Sequence, residues 1–74
     1  MGKWKKFLIE KVNEYPQEVF FNTDYIGSSL IGEFIEATYL DNIGNIQRVR
    51  GKVENVLEEN VKDTETLNLL GGNY

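Results

Sequence analysis

A turn sequence between two β-prone runs constrains this chain more than any other feature. The segment Asp41-Asn42-Ile43-Gly44-Asn45 is rich in turn-forming residues, and residues 35–39 and 46–50 on either side favour strands. The spacing therefore predicts a β-hairpin. The same segment fails as a calcium loop, because its glycine comes too early and Lys52 stands where the last carboxylate ligand belongs.

The register of this hairpin follows from placing Leu40 opposite Ile46. One sheet face then pairs residues that are mostly polar: Thr38 with Arg48, Glu36 with Arg50, and Phe34 with Lys52. The other face is largely apolar and suits a core, with Tyr39 opposite Gln47, Ala37 opposite Val49, and Ile35 opposite Gly51. Glu33 falls opposite Val53 on the apolar side, which predicts a bulge, a bend or a sheet rim.

A helical period also fits residues 30–57, so a three-helix bundle is the alternative fold. That fold would place Gly32 and Gly51 inside helices, where each costs about 1 kcal/mol relative to alanine. The turn sequence at residues 41–45 also lies between two β-prone runs, and a hairpin explains both of them. We therefore favour strands in this region.

The N-terminal segment shows the spacing of one helical face. Residues 3–15 are predicted to form a helix that ends near Glu14, because Pro16 cannot continue it. The apolar stripe of this helix is Trp4, Phe7, Leu8, Val12 and Tyr15.

The remaining segments complete a mixed pattern. Residues 17–23 are predicted as a strand, residues 24–29 and 58–63 as loops, and residues 64–70 as a last strand with Leu67 and Leu69 pointing inward. Gly71-Gly72 should end that strand, and residues 71–74 should form a flexible tail. The chain is thus expected to be one small domain over residues 1–74.

The expected fold class is α+β, with an N-terminal helix covering one opening of a small, mainly antiparallel barrel or curled sheet of about four to five strands. This element order resembles the group of SH3-like, Sm-like and OB-fold barrels, and Val49-Arg50-Gly51-Lys52 is similar to the second Sm motif. The first Sm motif is not recognisable between Gly32 and Asn42, and the resemblance carries no functional residue to this chain.

Composition removes most familiar chemistry. The 74 residues include no cysteine and no histidine, so disulfides, thiolate zinc sites and imidazole bases are absent. Glycine-rich phosphate-binding motifs are missing as well, and a core this small leaves little room for a ligand pocket of the usual size, about 300 Å³ or more. We expect no enzyme activity, no catalytic residue, no cofactor and no metal.

By subtraction, the predicted function is a non-enzymatic interaction module, such as a small adaptor, regulator or inhibitor, that docks on a protein partner. The candidate contacts are sheet edges and the aromatic residues Trp4, Tyr25 and Tyr74. Self-association through the same edges is a further expectation. No segment is apolar enough to span a membrane, and the N-terminus does not resemble a signal peptide, so we expect a cytoplasmic protein.

The alternative function is binding of RNA or single-stranded DNA. Arg48, Arg50 and Lys52 would project from one strand face at intervals of about 7 Å, and Phe34 could stack on a base. The net charge of −4 weighs against this function, and so does neutralisation of the stripe by Glu36 and Glu54.

Overall fold

A computed structural model, which describes residues 3–11 and 14–71, shows four antiparallel strands in a closed barrel. The elements in chain order are β1 (Lys3–Glu10), β2 (Gln17–Thr23), a 3₁₀ helix (Gly27–Leu30), β3 (Phe34–Leu40), β4 (Ile46–Glu58) and α1 (Thr64–Leu69). Each strand lies beside the next in sequence, and β4 returns to pair with β1. The small antiparallel barrel is confirmed.

The predicted N-terminal helix is wrong, because this segment forms strand β1. Lys5, Phe7 and Ile9 point into the barrel and are buried, while Trp4, Lys6 and Leu8 on the outward face are half-buried. The apolar spacing resembled a helix because the outward face also carries the apolar residues Trp4 and Leu8, and because the inward Lys5 interrupts the period of two. Pairing with β2 on one side and β4 on the other outweighs the local helical preference.

The β3–β4 hairpin confirms the predicted register. Leu40 lies opposite Ile46, and the ladder continues without a shift to Phe34 opposite Lys52. The alternative three-helix bundle is wrong, because β3 and β4 occupy most of residues 30–57, where it requires helices. The irregularity expected at Glu33 is present as the end of the ladder, since β3 begins one residue later at Phe34.

Asp41 organises the hairpin turn. Its Oδ1 accepts hydrogen bonds from the backbone N–H groups of Ile43 and Asn45, at 3.1 and 2.8 Å. Gly44 adopts a φ of 85°, a conformation that glycine enters without a Cβ penalty. The turn is thus built from local interactions of the residue types that the sequence placed there.

The thirteen-residue β4 closes the barrel because its first half pairs with β3 and its second half with β1. Gly51 lies at this change of partner and is buried. A Cβ there would stand 2.8 Å from the backbone O of Glu10 and 2.9 Å from Cδ1 of Ile9. Only glycine allows β1 to approach β4 so closely.

The core fills the barrel interior with side chains from all four strands. The buried cluster is Phe7, Ile9, Val19, Ile35, Ala37 and Val53. Phe7 and Phe21 contact each other edge to face, with ring centroids 6.3 Å apart. Alternation between inward and outward residues thus accounts for most of the burial along the strands.

The predicted last strand, residues 64–70, is also wrong, because α1 occupies Thr64–Leu69. Asp63 caps this helix: its Oδ2 accepts from Thr66 N at 3.2 Å and from Thr66 Oγ1 at 2.5 Å. Leu70 is buried and Leu69 is exposed, the reverse of the expected alternation. The cap at Asp63 turned an ambiguous segment into a helix.

The predicted tail lies outside the described residues except for Gly71.

Candidate binding surfaces

The predicted basic stripe is present on the outer face of β4. Arg48, Arg50 and Lys52 are exposed, whereas Gly51 between the last two is buried. The carboxylate of Glu36 lies 3.6 Å from Nη1 of Arg48, so Glu36 neutralises Arg48 rather than the directly opposite Arg50. The expected neutralisation is therefore only partly realised.

Arg50 and Lys52 have no ion pair or hydrogen bond through their side chains with any residue in ranges 3–11 and 14–71. Glu54, which was expected to neutralise the stripe, likewise forms no ion pair within those ranges. Arg50 and Lys52 are thus exposed on the sheet surface without an ion-pair partner in that part of the chain.

Phe34 extends this surface across the ladder. It lies directly opposite Lys52 and is 69% exposed. Together with Glu10, Lys11 and Lys52 it lines a cavity of about 150 Å³. Nζ of Lys11 is held 3.0 Å from both Glu14 Oε1 and Gln17 Oε1, so Lys11 is already paired. The four residues proposed from the sequence for this surface lie together on one face.

A second surface is the connector, residues 24–33, which joins β2 to β3. Tyr25 and Ile26 are each 69% exposed, and Ile31 is 48% exposed. Three large apolar side chains in ten residues is a dense group for a surface segment. Tyr25 was predicted as a contact from the sequence, whereas Ile26 and Ile31 were not. The signal available for them was the presence of apolar residues beside Gly27 and Ser28-Ser29 in a predicted loop.

The connector backbone is fixed at both ends. Gly32 N donates to Val53 O at 2.9 Å, and Val53 N donates to Glu33 O at 2.9 Å. At the other end Gly27 N donates to Oε1 of Glu59 at 2.6 Å. Within the 3₁₀ helix Ser29 N bonds to Ile26 O at 3.0 Å. The apolar side chains therefore project from an ordered backbone.

The other aromatic residues proposed as protein contacts have different outcomes. Trp4 is half-buried on β1, and its backbone O accepts from Val61 N at 3.0 Å. Tyr74 lies outside the described residues. In the closed barrel every strand has a neighbour on both sides, so the predicted sheet edges are free only where the pairing between neighbours is short. The shortest pairing is between β2 and β3, which share one paired position, Phe20 with Thr38.

Lys5 and Glu59 close one end of the barrel. The buried ammonium of Lys5 lies 2.9 Å from Glu59 Oε1 and 2.9 Å from Glu59 O. The hydrogen bond from Gly27 N and then the one from Lys5 lower the pKa of Glu59 below its ordinary 4.5, against the opposing effect of desolvation. This network joins the connector to the ends of β1 and β4.

An open cavity of about 310 Å³ lies at the same end, lined by Lys3, Lys5, Asp24 and Glu59 among others. The expectation of too little room for such a cavity is wrong, since small-molecule pockets begin at about this volume. Its buried cation, Lys5, is already bonded to Glu59. Within residues 3–11 and 14–71, no three acidic side chains gather in a group that could hold a metal ion.

The fold and surfaces together define a class: a small closed barrel of four antiparallel strands with an apolar connector and a basic aromatic face. No protein-family model, curated protein or solved structure matches the chain. None of the described helices has the length and apolar character needed to cross a membrane.

Proposed function

We propose that this protein is a non-enzymatic interaction module that docks on a protein partner through its connector. The observation that carries the proposal is the exposure of Tyr25, Ile26 and Ile31 on a backbone held by hydrogen bonds to β4 and Glu59. Large apolar groups held outward cost free energy in water, and their burial against a partner recovers it.

The ordered connector favours binding in a second way. Association normally loses the conformational freedom of the segment that docks, which weakens the complex. Here folding has already restricted the backbone between Gly27 and Glu33. An apolar pocket or groove on a folded protein is the partner surface that fits, with Tyr25 as the aromatic anchor.

Three finer assignments belong to the same proposal. We place the barrel with the SH3-like or Sm-like group, on the strength of its long β4 with Val49-Arg50-Gly51-Lys52 at the point where the strand changes partner. A cytoplasmic location is compatible with a sequence that contains no cysteine. A second copy of the chain is one form that the protein partner can take.

The test compares matched variants in affinity capture from a lysate of the organism that encodes the protein. Tyr25→Ser and Ile26→Ser remove connector contacts, and Ile43→Ser is the control, because Ile43 is 77% exposed at the distant hairpin turn. We expect connector variants to lose at least about fivefold in recovery of a defined partner, and Ile43→Ser to retain it.

Capture should also tolerate salt and nuclease, since the contact is mainly apolar. Equal recovery by all three variants would overturn the proposal, and so would partners that disappear on nuclease treatment. Sedimentation of the purified protein tests the second-copy form directly: a connector-dependent dimer supports it, and a monomer at all concentrations excludes it.

A further inference from the structure

We propose that the outer face of the β3–β4 hairpin is a separate site for single-stranded nucleic acid, formed by Phe34, Arg50 and Lys52. The ring of Phe34 stacks on a base, and the two cations contact phosphate oxygens. This site lies on the sheet face rather than on the connector, so it is independent of the docking proposed above.

The charges support an anionic ligand. Arg50 and Lys52 are exposed and make no ion pair with other described residues, whereas Arg48 is engaged by Glu36. Residues two apart on a strand stand about 7 Å apart, so the two groups can meet successive points along one backbone. Neither cation has an ion-pair partner within residues 3–11 and 14–71, so binding an anion here breaks no ion pair among them.

The exposed ring of Phe34 favours a ligand that has an aromatic group as well as negative charge. Phe34 is directly opposite Lys52, which places the two side chains about 5 Å apart at Cβ, and the ring is 69% exposed. An acidic peptide would use the cations alone. A nucleotide uses both groups, because each base has a face that stacks on an aromatic ring and each linkage has a phosphate.

The ligand must be single-stranded. Bases inside a duplex are stacked on each other and cannot reach a side chain that points from a sheet, whereas bases of a single strand can be splayed onto it. Glu10 lines the cavity beside Phe34, and Glu36 flanks Arg50. These carboxylates, with the net charge of −4, make the expected binding weak and restrict it to Arg50 and Lys52.

The experiment is a fluorescence-anisotropy titration of labelled short oligothymidine with the purified full chain. Two phosphate contacts predict that affinity falls about sevenfold between about 50 and 200 mM salt. Arg50→Gln should halve the slope of log affinity against log salt, and so should Lys52→Gln. Lys62→Gln, which removes an exposed lysine outside this face, should leave the slope unchanged.

Phe34→Ala separates stacking from charge. We expect it to weaken binding about fivefold or more at every salt concentration while the slope stays that of the parent protein. Circular dichroism and urea unfolding of each variant establish that the barrel is intact. Because these variants leave Tyr25 and Ile26 in place, their failure does not affect the docking proposal.

Several results would overturn the inference. One is no change in anisotropy at about 50 mM salt with protein in the millimolar range. Equal binding of a duplex, or an unchanged affinity in Phe34→Ala, would remove the stacking role. Equal competition by an oligoglutamate peptide would show that the face takes acidic peptides instead of nucleic acid.

Discussion

The β3–β4 hairpin and the β1–β4 seam are two joints of the same barrel, and they differ in regularity. The hairpin pairs seven consecutive positions without a shift around a short turn. The seam joins strands from opposite ends of the chain, and its register shifts between Lys6 and Phe7 and again between Leu8 and Ile9. The seam also requires a glycine at position 51, because the backbone O of Glu10 and the side chain of Ile9 lie where a Cβ would stand.

The difference shows how local and distant constraints divide the fold. Turn chemistry at residues 41–45 sets the hairpin register, and the alternation of side chains between two faces keeps it. The seam has no such turn. Its geometry depends on two register shifts in the β1–β4 ladder and on a glycine that lets β1 come close.

Gly51→Ala should damage the seam most. Its Cβ would meet the backbone O of Glu10 at 2.8 Å, so one strand must move, and overpacking of this kind costs about 2–3 kcal/mol. Gly44→Ala in the hairpin is the matched control: it meets no atom within 4 Å and carries only the cost of its positive φ, about 1 kcal/mol. Urea unfolding measures both free energies. Equal losses would contradict the contrast.

Glu59→Ala should be the next largest change, because among the described residues it leaves the buried Lys5 ammonium with the backbone O of residue 59 alone. Adding Lys5→Met should restore part of the lost free energy of unfolding, since a methionine at this position needs no counter-charge. The double-mutant cycle is read by urea unfolding. A double variant less stable than Glu59→Ala would show that Lys5 has another essential contact.

Acid should weaken the same end of the barrel. The pKa of Glu59 is lowered in the folded state, so its contribution is present above the ordinary value of 4.5 and is lost as the pH falls through the lower folded value. We expect the free energy of unfolding to decline over this acid range, and Glu59→Gln to decline less steeply. Glu54→Gln, which removes a carboxylate without a described partner, is the control and should follow the parent.

Asp41→Ala should have the smallest effect on the barrel. The hydrogen bond from Asn45 N contributes most to lowering the pKa of Asp41, and the substitution removes this acceptor from the exposed turn. Asp41→Asn keeps an acceptor oxygen and should retain most of the stability. Amide exchange should show faster opening at residues 43–47 and unchanged protection in β1. Loss of protection in β1 would show that turn and seam are coupled.

The hairpin register and the outward stripe were predictable because they depend on neighbours along the chain. Phe34 opposite Lys52 follows by counting back from the turn. The pairing of Glu36 with Arg48 rather than Arg50 did not follow, because both arginines lie within reach and rotamers decide between them. The connector surface was missed in part because exposure of Ile26 and Ile31 depends on how the loop is fixed to β4.

The two wrong elements had the same physical cause. Residues 3–15 and 64–70 are short, and each pattern fits either a helix or a strand. In residues 3–10, pairing with β2 and β4 stabilises a strand, although the spacing of apolar residues suggested a helix. In residues 64–70, the side chain of Asp63 decided for helix, although the alternation of Leu67 and Leu69 suggested strand.

The sequence by itself determined the turn at residues 41–45, the register of the hairpin around it and the class of small antiparallel barrel, since these follow from turn chemistry and a period of two. The tertiary structure decided that residues 3–10 form a strand, that β4 closes on β1 and that Lys5 is buried beside Glu59. Those features depend on contacts between residues far apart in the chain, and a local sequence pattern does not show which distant segment a strand or side chain will contact.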